Sequence, residues 1–375
     1  MKKRLAAAAV LISVIFTLSG CFPTGEKETT PTNSVDFTEI ETYEYSKDYL
    51  EVSFKLPEIP KDVPIRIKIK EKNFDADEII ELFFGGKTIL EDQTWNGNYT
   101  ADDKSYLFAD PNRNIVRFAD GKTSPTPVNN SIDFPVNYQM PIYHLEDYFR
   151  EKYFPGGDGE LEAFPRSDAT GRALGLTSIL GITNLGEPDI FAVTLDSYEK
   201  FREYYDGDGF FNDSLTMTKE NEIYYLVFPK VYAGIELADV SLSVQNHTNG
   251  RSSQIFLPKL TVGVSKDDIF FLDSGAVYEE EYEVLSNEPI KYDFNYALNE
   301  LESYLSNVYF SSKKTAKINT AKLVYYPIEV NEEGTIECVL TWSFEGYVGK
   351  MDDDFYWEDY KIIIRTDNGS KIVVD

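Results

Sequence analysis

The chain has 375 residues, 42% of them hydrophobic and 14% aromatic, so it can bury a sizeable core and is not a disordered polymer. Its formal charge is −28, which argues against nucleic acid or an anionic headgroup layer as a direct binding partner. Two histidines, His144 and His247, lie far apart in no ligand spacing, so a zinc site built on histidine and cysteine is not expected.

The N-terminus opens with Lys2, Lys3 and Arg4, followed by an apolar run over 5–18, which is the plan of a secretory signal. The run falls short of the roughly 20 residues that a spanning helix needs. It closes on Leu18-Ser19-Gly20-Cys21, which resembles the lipobox of bacterial lipoproteins. The resemblance implies cleavage before Cys21, a diacylglyceryl thioether on its sulfur and acylation, palmitate included, of the new N-terminus. The protein would then be held on the extracytoplasmic face of a cell membrane, since two or more acyl chains anchor stably where one does not. Loss of the three leader cations would take the charge from −28 to −31. With Cys21 lipidated, Cys338 has no disulfide partner, which points to a Gram-positive type of envelope.

Residues 1–20 therefore read as a signal peptide and 21–35, rich in Thr and Pro, as a lipidated flexible tether. An α+β pattern follows. Residues 36–164 read as a strand-rich domain, with strands at 49–56, 65–70, 105–109 and 115–118. Its one helix is opened by Asp75 and Glu78 as a capping box and stopped by Gly85-Gly86. Residues 165–286 read as a second α+β module. A helix over 169–182 is capped by Asp168, with Ala169, Ala173, Leu176 and Leu180 on one face. A short helix spans 197–205, and strands lie at 190–195, 223–232 and onward to about 285.

Residues 287–375 read as a third module. Phe294, Ala297, Leu298, Leu301, Tyr304, Leu305 and Val308 recur at spacings of three and four, predicting a helix with one buried side. Ile336, Cys338, Leu340, Trp342 and Phe344 alternate with Glu337, Val339, Thr341, Ser343 and Glu345, predicting a half-buried strand. Strands at 360–365 and 371–374 flank Asp367-Asn368-Gly369-Ser370, a hairpin signal.

The helix over 293–308, the strand over 318–328, the run 340–344 and the final hairpin are together similar to the C-terminal module of uncharacterised Gram-positive lipoproteins. They are also similar to the PepSY-like folds of envelope regulators of sensor kinases. The likeness spans 165–375 and rests on strand and turn patterns. It implies helix-on-antiparallel-sheet modules, two of them PepSY-like, and a non-catalytic, protein-facing role.

Candidate chemistry is sparse. No Gly-X-Ser-X-Gly elbow occurs. Ser197-Tyr198-Glu199-Lys200 and Ser311-Ser312-Lys313-Lys314 fit Ser-X-X-Lys without its companion motifs. Gly86-Lys87-Thr88 has Glu81 where a phosphate loop needs its first glycine. Asp206, Asp208, Asn212 and Asp213 lie on a glycine-bent loop. It reads as a turn, with calcium the alternative, although Phe211 stands where an EF-hand needs glycine. Asp352, Asp353, Asp354, Phe355, Tyr356 and Trp357 have the composition of a ligand or partner lip, or of a loop folded back onto its sheet. With 64 acidic residues, no carboxylate pair stands out.

The expectation is a lipid-anchored, non-catalytic interaction or regulatory module for an envelope protein, with no cofactor and no nucleic acid. A glycan- or calcium-binding lipoprotein and a cell-wall hydrolase with a carboxylate pair are the alternatives.

Overall fold

Strands β1 (Thr42–Lys47), β2 (Leu50–Lys55) and β3 (Arg66–Glu71) come first in the computed structural model, ahead of helix α1 (Ala76–Phe84). Then follow β4 (Asn98–Thr100), β5 (Tyr106–Asp110), β6 (Ile115–Ala119), α2 (Arg166–Ile179), β7 (Asp189–Val193) and α3 (Leu195–Tyr205). Next come β8 (Ile223–Phe228), β9 (Val231–Tyr232), β10 (Ile235–Leu237), β11 (Ser241–Gln245), β12 (Ser252–Phe256), β13 (Leu260–Ser265), β14 (Ile269–Ala276) and β15 (Tyr278–Ser286). Helix α4 (Phe294–Tyr309) and strands β16 (Thr315–Val330), β17 (Thr335–Gly349), β18 (Glu358–Arg365) and β19 (Lys371–Val374) complete the chain. The structure describes residues 42–47, 50–57, 60, 62–90, 97–110, 115–120, 159–205, 218–245, 252–256, 259–309, 315–330, 334–349 and 358–374.

Strands take 51% of the described residues and helices 20%, in two large sheets, so the α+β expectation of helix-on-sheet, PepSY-like units is replaced by a β-rich fold. The physical reason lies in pairing between distant segments. An amphipathic helix reports that it has a buried side, and says nothing of which strands lie beneath it.

One sheet has seven antiparallel strands in the order β4-β5-β6-β14-β13-β8-β7. Helices α1 and α2 share its core on one face, through Ile79 and Phe84 of α1 and Ala169, Ala173 and Leu176 of α2, against Phe118, Tyr224, Leu226 and Val262. Asp75 caps α1 by accepting from the amides of Asp77 and Glu78. Asp168 does not cap α2. That helix starts earlier, after Pro165, and Glu160 accepts the Arg166 amide at 2.8 Å. Thr194 and Ser197 exchange hydrogen bonds at the start of α3.

The second sheet has ten strands and is built on a ribbon of two long strands, β16 and β17. One half of the ribbon is flanked by β2 and β18, giving the order β1-β2-β16-β17-β18-β19. The other half is flanked by β10 and β3, with β9 and β15 outside them. The two flanks need a ribbon of about 50 Å, which 15 or 16 residues of strand supply.

Two irregularities bend this ribbon. Asn319 is extra between Ile318 and Thr320, and Ile328 between Pro327 and Glu329. Gly346 faces the first, where a Cβ would collide with the Lys317 carbonyl oxygen, so only glycine fits. Pro327 sits at the second, where a missing ladder donor is tolerated.

Helix α4, capped by Asp293 through the Tyr296 amide, buries Phe294, Ala297, Leu298, Leu301 and Leu305 on the ten-stranded sheet. Phe294 meets Trp342 edge-on and stacks on Phe344. The opposite face of β17 was expected to meet solvent. Instead Val339, Thr341 and Ser343 are buried, and in the plane of the sheet the Ala238 amide continues the β10–β16 pairing by donating to the Tyr325 carbonyl. In the last hairpin Gly369 alone takes a positive φ, and the Asn368 side chain accepts the Ser370 amide.

Candidate functional site

The residues singled out in the sequence, Cys21, Asp206, Asp208, Asn212, Asp213, Asp352, Asp353, Asp354, Phe355, Tyr356 and Trp357, lie outside the described residues, as do His144 and His247. Among the described residues no group of three or more His, Cys, Asp or Glu side chains is placed to hold a metal. Cys338 is free and fully buried, and burial pushes its thiol well above the usual range.

The chain passes from one sheet to the other after β8 and again after β14. Polar groups gather at these two crossings. Lys230, which follows β8, is buried and donates from Nζ to the Ala276 carbonyl at the end of β14, at 2.7 Å. Burial lowers its pKa to about 8, against the attraction of Asp273 and Asp239.

Asp273 is fully buried on β14, opposite Arg117 of β6 on one side and Thr261 of β13 on the other. Its Oδ2 meets Arg117 Nε at 2.9 Å and its Oδ1 accepts the Gly275 amide at 2.9 Å. Ser274 accepts the Val116 amide through Oγ at 2.9 Å. This network fastens the crossings. Lys230 thus ties the segment after β8 to the end of β14.

A half-buried carboxylate, Glu345, stands on β17. Burial alone would raise the pKa of Glu345, but Lys361 and Lys322, with the Ser343 hydroxyl, hold it at about 2. Lys322 also reaches Glu236 of β10 at 3.0 Å, tying the β9–β10 segment to the ribbon.

The surface feature with binding geometry is β15. It is an edge strand, paired only with β3 among the described residues. Six consecutive residues, Glu280 to Leu285, are exposed, among them Tyr282 at 38%, Val284 at 42% and Leu285 at 38%. Its N-terminal end is fixed: Tyr232 donates to the Glu279 carbonyl, Thr183 donates to Glu280, and the Tyr282 ring packs edge-on against Tyr232. Glu283 pairs with Lys68 on the neighbouring strand.

Sequence reasoning placed strands up to about residue 285 but not this edge. The only signal was four glutamates in nine strand residues, a composition that suits an edge and not a sheet interior.

No family model matches the chain, and no curated protein is similar to it. Among solved structures, an uncharacterised protein from Eubacterium rectale ATCC 33656 superposes with a TM-score of 0.53 at 14% identity, over 89% of this chain and 94% of that one. At that identity the likeness establishes a shared fold and nothing about activity.

Proposed function

We propose that the protein is a lipid-anchored, extracytoplasmic lipoprotein that acts as a non-catalytic interaction or regulatory module for an envelope protein. The observation that carries the interaction reading is the edge of β15, which pairs only with β3 among the described residues and carries exposed apolar and acidic side chains side by side. Leu18-Ser19-Gly20-Cys21 supplies the anchor. The charge of −28 fits a domain that an anionic membrane repels and that lipid alone keeps near the surface.

The test is crosslinking in cells of the native protein beside a Cys21→Ser variant, with identification of what co-purifies. The reading expects one dominant envelope protein, lost in the variant, and a variant that leaves the membrane fraction. Recovery of wall fragments alone, or of no protein, would overturn it.

A further inference from the structure

We infer that the edge of β15 receives an extended segment of the partner in which a lysine or arginine alternates with apolar residues. This inference rests on the interaction reading and gives it a chemistry.

The register across β17, β3 and β15 defines what a further strand would meet. On one face, Cys338 of β17 lies beside Ile67 of β3 and Ile67 beside Val284 of β15, while Ile336, Ile69 and Tyr282 form the adjacent row. Both apolar rows are buried on β17 and β3 and surface at β15, where Val284 and Tyr282 stay exposed. On the other face, Glu337, Lys68 and Glu283 form a row of alternating sign that ends on a carboxylate at the open edge. Continuing these rows by one strand places an apolar residue beside Tyr282, a cation beside Glu283 and an apolar residue beside Val284. Cross-strand pairs of these kinds are the unit of sheet stabilisation. Glu281 makes no ion pair among the described residues and adds to the same attraction.

A second copy of this chain suits the edge poorly. Its own β15 carries Glu279, Glu280, Glu281 and Glu283, and two chains of charge −28 repel. Acidic side chains and strand irregularities guard an edge against self-pairing. A cationic strand turns the same glutamates into attraction. The regular stretch is short, Tyr282 to Val284, so main-chain bonds supply part of the affinity and the charge selects the partner.

The test uses the full chain in detergent micelles and a fluorescent peptide of alternating valine and lysine. Three comparison peptides are a valine–glutamate version, a same-composition version with the lysines in one block, and a version N-methylated at alternate residues. The expected result is binding of the alternating lysine peptide at least tenfold tighter than any of the three, with amide-exchange protection at 282–285. The double variant Glu281→Lys/Glu283→Lys should lose that peptide by at least tenfold and gain the glutamate one. That exchange of preference separates a direct contact from simple misfolding.

Equal binding of the blocked or N-methylated peptide, protection elsewhere, or dimerisation of the chain in place of peptide binding would overturn the inference. So would a crosslinked envelope partner retained undiminished by the double variant, which would leave the interaction function standing and remove the edge from it. Absence of any crosslinked partner counts against the function, while the peptide result still decides the edge.

Discussion

The Lys230 ammonium donates to the Ala276 carbonyl oxygen at 2.7 Å, and these two residues stand at two of the places where the chain crosses between the sheets, after β8 and after β14. One charged group buried beside Asp273 therefore braces both crossings. A lysine held at about 8 when folded and near 10.5 when unfolded binds fewer protons in the native state between those values, so stability rises with pH through that window. Cys338, whose thiol is pushed up by burial, acts in the opposite sense once the unfolded thiol ionises near 9. The Lys230 effect is thus cleanest between pH 8 and 9, at about 1 kcal/mol. Urea unfolding should show this rise in the native chain and its loss in Lys230→Met. An unchanged slope in the variant would refute the assignment.

Glu345 acts at the other end of the scale. Its carboxyl sits at about 2 in the folded chain against an ordinary 4.5, so its contribution is complete above 4.5 and is lost as pH falls toward 2. Glu345→Gln should cost about 2 kcal/mol at neutral pH and flatten the acid limb of the stability curve. Asp367, held at about 2 by Arg365 and Arg66 against its own desolvation, titrates in a neighbouring window, so part of the acid sensitivity should survive. An acid limb identical to that of the native chain would show that the lysines around Glu345 do not hold its charge.

Gly346→Ala should be among the most damaging single changes, because the added methyl meets the backbone of Lys317 and not a side chain that can swing aside. A loss of about 3 kcal/mol is expected in the denaturant midpoint. Ala substituted for Gly171, where a Cβ meets nothing within 4 Å, is the matched control and should be neutral or slightly stabilising. Equal effects at the two positions would mean that the bend at Asn319 is not what glycine is there to permit.

Cys338 should be inert in the folded protein. Buried and held in the thiol form, it should react with a maleimide only as the chain unfolds, with a rate that follows global opening. Fast labelling under native conditions would contradict its buried place on β17.

Much of the local structure was legible. The cap at Asp75, the buried face of α4 and the inner face of β17 are encoded within a dozen residues each, at periods of 3.6 and 2. The α+β modules failed because sheet membership is not local. Leu50 pairs with Ala316, and Ile67 with Cys338, at separations where no spacing rule operates. The second face of β17 misled for a related reason. Thr341 and Ser343 are polar enough to look solvent-facing, yet both are buried, with their hydroxyls donating to the Val324 carbonyl and to Glu345. Lys230 lay inside a run of strand-forming residues, where nothing nearby in sequence marks it as the donor to a carbonyl 46 positions away.

The forked ribbon also sets an order of events. Chains are delivered N-terminus first, and β2 and β3 appear long before β16 and β17, their only routes into the body of the sheet; Leu50 waits 266 positions for Ala316. Contacts of such range make folding slow, and until the last sixty residues arrive β2 and β3 lack the central ribbon against which the core around Val52, Ile67 and Ile69 is completed. The earliest strands are the last to be satisfied, so a chain halted before β17 would leave the ten-stranded sheet without its centre, although every strand of the seven-stranded sheet had been delivered.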